Sequence, residues 1–214
     1  MDEQVLSNED TGVIVVDVQA DFTELKSGTL AVPGTDVHYI KAVETATRKF
    51  LQMGLPVYCT QDWHPADHIS FFTNNPGTEV MQITEVDGRP QVMWPPHCVQ
   101  NTPGAEILIV AEGSIETVQK GMHAKFDSYS GFADDGGRIT DLDSLLRQNG
   151  IKNLIIYGLA TDYCVKATAI DATDAGYQVT VIEGLSKGVA PETTAQALED
   201  MKAKGIIVKA DLDM

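Results

Sequence analysis

The size and charge of the chain limit the classes of protein to which it can belong. It has 214 residues, of which 43% are hydrophobic and 21% charged, within the range in which one domain buries a single large core. Its 31 acidic and 15 basic residues give a formal net charge of −16, which repels a phosphate backbone and anionic lipid. We therefore expect one domain spanning residues 1–214, with neither nucleic acid nor a membrane as a partner.

The amino terminus and the cysteines favour a soluble, cytoplasmic protein. The first residues, MDEQVLSNED, are acidic and polar, unlike a secretion signal, and no apolar run reaches the roughly 18 residues of a membrane span. Cys59, Cys98 and Cys164 form neither a CxxC pair nor a disulfide framework, so at least one thiol is expected to be free. The sequence leaves open whether the chain forms a homo-oligomer.

Short apolar runs rich in Val and Ile alternate with amphipathic segments along the chain. Near-continuous apolar strands of this kind are typical of a parallel sheet covered on both faces by helices. The fold class is therefore expected to be α/β. The predicted strands are residues 13–18, 56–60, 115–119, 153–157, 179–182 and 206–208, and the predicted helices are residues 36–53, 140–149, 162–175 and 191–204.

One region lacks this alternation. From His64 to about Ala105 the chain is rich in Pro, Asn, Gly and Thr and shows no convincing periodicity. A connection of this length without regular structure is uncommon in a compact domain, and such segments are usually functional. We therefore expect this region to contribute to a site.

Reactive side chains occur at or just after the ends of four predicted strands. Ligands of open α/β sheets bind beyond the carboxyl ends of the strands, so these groups are expected to meet at one edge. A lone Asp at a strand end is more often a turn or capping residue, but that explanation fits a single strand better than four. The groups are Asp17 and Asp21; Asp62, His64 and His68; Lys120; and Asp162 and Cys164.

Asp62 and His64 form an Asp-x-His pair whose side chains point the same way on an extended backbone, so that one ion can bind both. Either His97 or His68 could supply a third ligand. Two histidines and one carboxylate leave coordination positions open, which suits Zn, Fe or Mn. By itself the pair favours an ordinary surface, but three of the five histidines of the chain lie in this one region, so a metal site and a surface pair are equal alternatives at this point.

Cys164 follows a predicted buried strand and enters a helix. The positive end of a helix dipole lowers a thiol pKa and favours the thiolate, and backbone N–H groups in the first turn can hold an oxyanion. The alternative is that Cys164 is a small buried hydrophobe, which is the usual state of a free cysteine. Cys59 and Cys98 have no evident base and are expected to be structural.

Six motifs together resemble the isochorismatase-like cysteine hydrolases, in particular their nicotinamidase branch. The similarity extends from about Thr11 to Val208, and the order and spacing of the motifs are specific. The second and third motifs favour this branch over the metal-free ones. The motifs are DVQADF at 17–22, DWHPADHISF at 62–71, WPPHC at 94–98, KG at 120–121, YSGF at 129–132 and GLATDYCV at 158–165.

The resemblance implies a three-layer sandwich around a six-stranded parallel sheet in the order 3-2-1-4-5-6. It also implies hydrolysis of nicotinamide to nicotinate and ammonia through a cysteine thioester, feeding NAD salvage, with pyrazinamide as a further substrate. The residues that would contact the substrate are Phe22, Trp94, Tyr129, Ala160 and Thr161. The Ala160–Thr161 peptide bond matches a position that is cis in the family.

The resemblance further assigns roles to the reactive groups. Asp17, Lys120 and Cys164 match a catalytic triad. Asp62, His64 and His97 match the ligands of one divalent metal ion, expected to be Zn²⁺, with Fe²⁺ or Mn²⁺ as alternatives. Whether His68 is an additional ligand is left open, because members of the family differ there.

Two segments depart from the family pattern, and three other functions remain as alternatives. Thr23–Thr29 replaces a shorter turn and Glu79–Val92 expands the loop before Trp94, so access and substrate breadth are open. Another amidase or carbamoylase of the superfamily would share the triad without needing the metal loop. An isochorismatase typically lacks the cysteine. An inactive binding protein would have no need of the intact Asp, Lys and Cys set.

Overall fold

A computed structural model describes residues 10–212 of the protein, whose strands and helices alternate along the chain. The strands are β1 (Thr11–Val16), β2 (Val57–Asp62), β3 (Ile83–Val86), β4 (Arg89–Val92), β5 (Ile115–Lys120), β6 (Asn153–Gly158), β7 (Gln178–Ile182) and β8 (Ile207–Lys209). The helices are α1 (Val37–Gln52), α2 (Leu142–Gln148), α3 (Lys166–Asp174) and α4 (Pro191–Ala203), and a π-helical turn, Thr161–Val165, precedes α3. None of the helices within residues 10–212 has the length and apolar character needed to span a membrane.

Six strands form one parallel sheet in the order β5-β2-β1-β6-β7-β8. The α/β fold and the predicted order 3-2-1-4-5-6 are therefore confirmed, since β3 and β4 stand outside this sheet as a separate antiparallel pair. The direction in which successive strands are added reverses between β1 and β6. Ligands of open α/β sheets bind at such a reversal, beyond the carboxyl ends of the strands.

The central strand β1 shows why the sheet is covered on both faces. All six of its residues are buried. Successive side chains of a strand point to opposite faces, so Val13 and Val15 pack in one apolar cluster and Ile14 and Val16 in the other. The first cluster contains Ile40, Val43 and Phe50 of α1, and the second contains Leu146, Ala169 and Met201 of α2, α3 and α4. Helices therefore cover both faces of the sheet.

The ends of α1 follow the signals in the sequence. The Asp36 carboxylate accepts hydrogen bonds from the N–H groups of His38 at 2.8 Å and Tyr39 at 3.1 Å. Gly54, just beyond the helix, adopts a φ of +82°, the left-handed conformation that glycine tolerates best. The predicted helix at residues 36–53 is confirmed to within one residue at each end.

The irregular region contains a β-hairpin that we did not predict. β3 and β4 pair antiparallel through a two-residue turn at Asp87 and Gly88, which have φ values of +51° and +77°. An Asp-Gly pair between short strands is a strong hairpin signal, because both residues tolerate positive φ. The alternation of apolar and polar residues is weak in this part of the sequence, because the side chains of the hairpin occupy only exposed and half-buried positions.

Candidate active site

Lys120, the last residue of β5, is the centre of a buried cluster at the carboxyl ends of the strands. Its Nζ lies 3.0 Å from Asp17 Oδ2, 2.5 Å from Asp62 Oδ1 and 3.5 Å from Cys164 Sγ. Nζ also donates a hydrogen bond to the carbonyl oxygen of Ser128 at 2.7 Å. Lys120 is only 1% exposed. The three residues predicted as a triad therefore meet, and the same ammonium group joins them to Asp62.

Asp17 is fully buried directly after β1, with a φ of +46°. The Thr60 hydroxyl donates a hydrogen bond to Asp17 Oδ1 at 2.6 Å and accepts one from the Asp17 N–H. Asp17 Oδ2 contacts Lys120 but has no aligned hydrogen bond within residues 10–212. The carboxylate and the Cys164 sulfur lie within 4.8 Å of each other. The Asp17 carboxylate, which Thr60 and Lys120 hold in place, is therefore close enough to the sulfur to accept the thiol proton.

The charges in this cluster govern the ionisation of Cys164. Burial raises the pKa of its thiol well above the usual value, and the shift outweighs the opposing effect of Lys120. Burial also raises the pKa of Asp17. One ammonium group lies among two carboxylates, so a thiolate would add a third negative charge. Burial and the two carboxylates thus oppose the lowering of the thiol pKa that the start of a helix favours, and Cys164 needs a base to lose its proton.

We expect Asp17→Asn to separate turnover from thiol ionisation. The amide cannot accept the proton, so turnover should fall by about a hundredfold or more. Because the neighbouring carboxylate itself raises the pKa of Cys164, its removal should leave the thiol at least as reactive towards iodoacetamide at neutral pH. Ammonia release tests the expected loss of turnover, and the alkylation rate of the same preparations tests the expected reactivity of the thiol. Turnover near the wild-type rate would contradict the role of Asp17 as the base.

Asp62, His64 and His97 form a second buried group, whose potential ligand atoms all lie within 4.8 Å of one another. His64 Nδ1 lies 2.9 Å from the carbonyl oxygen of Gly121, and His97 Nδ1 lies 2.7 Å from that of Pro95. A carbonyl oxygen can only accept, so each Nδ1 carries a hydrogen, and in the neutral form of each ring Nε2 has a lone pair for a metal ion. The donor set therefore fits a divalent metal ion.

Gly121 makes room for His64. Its φ is +64°, and a Cβ atom there would lie 2.4 Å from the His64 ring. A side chain at this position would displace the imidazole from the group. The Lys-Gly pair at the end of β5 thus supplies the ammonium group and then the space for a neighbouring ligand.

His68 lies outside the potential metal group. Its Nε2 is 3.0 Å from the carbonyl oxygen of Phe126 and its Nδ1 is 2.8 Å from the Ser70 hydroxyl. Nε2 therefore carries the hydrogen, and Nδ1 accepts from Ser70. Burial, with His64 nearby, lowers the pKa of His68 to about 4, so the ring is neutral. Both nitrogens of His68 are thus engaged, and its hydrogen bond to Phe126 holds the segment after β5.

Two acidic residues at the strand ends have structural contacts. The Asp21 carboxylate accepts from the N–H of Cys98 at 2.8 Å, which holds the segment that carries His97. The Asp162 carboxylate accepts from the N–H groups of Val189 and Ala190, just before α4. Neither joins the Lys120 cluster. Both carboxylates thus connect distant segments of the chain rather than taking part in the reactive cluster.

A small, partly open cavity lies beside Cys164. Four of the five residues predicted to contact the substrate line it, and aromatic rings dominate its wall. Trp94 Nε1 donates to the Tyr129 hydroxyl at 3.2 Å, and the Tyr163 ring lies 5.1 Å from that of Trp94. The predicted lining residues are Phe22, Trp94, Tyr129 and Ala160, and those not predicted are Leu30, Val32, Asp127, Ser128, Tyr163 and Val189.

Thr161 and the cis peptide bond differ from prediction. Thr161 does not line the cavity; its N–H donates to the carbonyl oxygen of Lys187 at 2.9 Å. The cis bond joins Leu159 to Ala160, one position earlier than the predicted Ala160–Thr161 bond. Thr161 already begins the π-helical turn, so the irregular peptide lies before it.

Comparisons with known proteins agree with this geometry. The Isochorismatase domain family matches residues 11–210. The nicotinamidase of Escherichia coli (strain K12) is 42% identical over 201 residues, covering 90% of this chain and 91% of the relative. The pyrazinamidase of Pyrococcus horikoshii, solved in complex with zinc, is 39% identical with a TM-score of 0.79, covering 94% and 98% of the two chains. The yeast nicotinamidase bound to the inhibitor nicotinaldehyde is 29% identical with a TM-score of 0.83, covering 94% and 100%. The chain therefore belongs to the isochorismatase family.

Proposed function

We propose that the protein is a metal-dependent nicotinamidase, which hydrolyses nicotinamide to nicotinate and ammonia. The observation that carries this function is the position of Lys120, whose Nζ contacts Asp17, Cys164 and Asp62 at once. A nucleophile and its base thus adjoin a group able to bind metal, beside an aromatic cavity. The identity to the Escherichia coli nicotinamidase over most of both chains supports the same reaction.

The reaction follows from the positions of the three triad residues. Asp17 takes the proton of the Cys164 thiol as the sulfur attacks the carboxamide carbon. The proton then passes from Asp17 to the departing amine, so that ammonia leaves and an acyl thioester remains on Cys164. Asp17 next deprotonates a water molecule that attacks the thioester, releasing nicotinate and restoring the thiol. Lys120 holds Asp17 and the sulfur in register throughout.

The carbonyl oxygen of the substrate needs hydrogen-bond donors as negative charge develops on it. We propose that the backbone N–H groups of Ala160 and Cys164 fill this role, because both residues line the cavity beside the sulfur. Loss of one such donor in other hydrolases costs about a hundredfold in rate or more. Both residues lie where β6 passes into the π-helical turn, which fixes their N–H groups relative to the Cys164 sulfur.

We propose Asp62, His64 and His97 as the metal ligands, with Zn²⁺ as the ion, since two imidazoles and a carboxylate with open positions are typical of a catalytic zinc site. When bound, the ion would supply a Lewis acid that orients a ring nitrogen of the substrate. Asp62 contacts Lys120 through Oδ1 and faces His64 through Oδ2. It therefore links the metal group to the catalytic lysine.

Pyrazinamide is a second expected substrate. The cavity wall is aromatic and apolar, which suits a flat heteroaromatic ring that carries a carboxamide. Both nicotinamide and pyrazinamide have a ring nitrogen in the same relation to the amide. The relative from Pyrococcus horikoshii is described as a pyrazinamidase.

An ammonia-release assay tests the proposal. The zinc-loaded protein should release ammonia from nicotinamide and pyrazinamide but turn over benzamide far more slowly, because benzamide lacks the ring nitrogen. Treatment with a chelator should remove most of the activity, and added Zn²⁺ should restore it. If the loaded protein released no ammonia from either heteroaromatic amide, the proposed function would be wrong. Equal turnover of benzamide would contradict the role of the ring nitrogen.

A further inference from the structure

The β3–β4 hairpin contacts the segment that forms one wall of the cavity. Arg89 and Gln91 lie two residues apart on β4 and so share one of its faces. Arg89 Nη2 donates to the carbonyl oxygen of Lys125 at 3.1 Å, and its guanidinium group lies 4.3 Å from the centre of the Phe126 ring. Gln91 Nε2 donates to Asp127 Oδ2 at 2.8 Å. One face of β4 thus holds three successive residues of the segment.

The wall segment, which we define as residues 121–135, connects directly to the site. Lys120 precedes it and donates to the carbonyl oxygen of Ser128. Tyr129, next in the chain, accepts a hydrogen bond from Trp94, which itself follows the hairpin by two residues. A displacement of the wall segment would therefore move the Tyr129 ring, which lines the cavity, and disturb its hydrogen bond with Trp94.

We propose that Gln91 is a positioning residue that sets substrate affinity by fixing the wall segment through Asp127. The inference rests on the proposed nicotinamidase function. Asp127 is a cavity-lining carboxylate that is only 6% exposed, so both its oxygens need donors. The Ser128 N–H donates to Asp127 Oδ1 at 3.0 Å, and Gln91 Nε2 donates to Asp127 Oδ2. Without Gln91, a buried charged oxygen loses this donor, and the segment relaxes outward towards water.

The contacts of Gln91 are specific for an amide. Its Nε2 group donates one hydrogen to Asp127 and the other to the carbonyl oxygen of Val92 at 3.0 Å. A carboxylate at this position could donate neither and would repel Asp127. Q91E is therefore the most informative single substitution, because it keeps the size of the side chain and reverses its hydrogen bonding.

We expect Q91E to raise KM for nicotinamide by about tenfold and to change kcat by less than about threefold. Weaker positioning of the ring lowers binding of substrate and transition state alike, which appears in KM. The sulfur and the Asp17 carboxylate keep their other contacts. The second variant combines Q91E with D127N. In this double variant the amide at position 127 can donate to the carboxylate at position 91, so the hydrogen bond forms again with donor and acceptor exchanged. The double variant should therefore have a lower KM than Q91E alone, as expected for two groups that interact directly.

Q82E is the matched control. Gln82 lies just before β3, and its side-chain oxygen accepts a hydrogen bond from the N–H of Glu79 within the same region. The same change of charge there should leave KM within about twofold of the wild type, because the side chain of Gln82 makes no hydrogen bond to Asp127 within residues 10–212. An equal effect of Q82E and Q91E would show that added charge, not the lost contact, is responsible.

Hydrogen exchange of residues 121–135 measures the positioning without any substrate. We expect faster exchange in Q91E than in the wild type or Q82E, and partial recovery in the double variant. Unchanged exchange in Q91E would overturn the proposed contact. Faster exchange with an unchanged KM would overturn its link to substrate affinity. If the wild type did not hydrolyse nicotinamide, the proposed function would fail, and the exchange data would still decide whether Gln91 holds the wall segment.

Discussion

Cys164→Ser should abolish hydrolysis of nicotinamide. The hydroxyl is nearly the size of the thiol but is far less acidic, and Asp17 is matched to a sulfur atom that is a better nucleophile and leaving group. Loss of the nucleophile in other covalent hydrolases lowers kcat by on the order of 10⁶-fold. We expect ammonia release to fall to the background rate, while circular dichroism and thermal unfolding show an intact fold.

Cys59→Ala and Cys98→Ala are the matched controls. Both thiols are buried, and burial raises the pKa of Cys59 to about 12 and that of Cys98 well above its usual value. Neither belongs to the Lys120 cluster. Each variant should keep most of the wild-type turnover. Activity of Cys164→Ser above about a tenth of the wild-type rate would contradict the assignment of the nucleophile.

The positions of the reactive groups could be predicted because parallel strands end at a common edge. Asp17 follows β1, Asp62 ends β2 and Lys120 ends β5, so the strand pattern alone brings them together. The register confirms this for one pair, since Asp62 and Lys120 are direct neighbours across β2 and β5. His97 and His68 were both candidates for the third ligand, and only the family resemblance favoured His97, because it lies in an irregular segment.

The ionisation of Cys164 could not be predicted from the sequence. The start of a helix favours a thiolate, but the outcome depends on how many opposing charges share the site and how deeply it is buried. The positive charge of Lys120 is balanced by the carboxylates of Asp17 and Asp62. Only the packed structure shows that Asp62 belongs both to this cluster and to the potential metal group.

The wall of the cavity was predicted only in part. Tyr163 adjoins Cys164 in the sequence, and this proximity was the available signal for its role. Leu30 and Val32 follow the segment Thr23–Thr29, where the chain departs from the family, so no motif pointed to them. The hairpin was missed although its Asp87-Gly88 turn is a recognisable signal.

His97→Ala should remove the metal ion and lower turnover of nicotinamide by on the order of a thousandfold, because correct orientation of a substrate contributes several kcal/mol. His97 lies on a different chain segment from Asp62 and His64, so its loss leaves two ligands at one edge of the group. Cys164 should still react with iodoacetamide at a rate close to that of the wild type, since a small reagent needs no positioning. Elemental analysis and alkylation kinetics measure the two effects.

Two other histidines provide the controls for this variant. His38 is exposed on α1, and His38→Ala should change neither metal content nor turnover. His68→Ala should also keep the ion, because both nitrogens of His68 already contact Phe126 and Ser70. Loss of metal in His68→Ala would show that this residue is a ligand after all. Retention of one ion per chain in His97→Ala would refute the proposed site, and an inert thiol in that variant would show that the ion also activates Cys164.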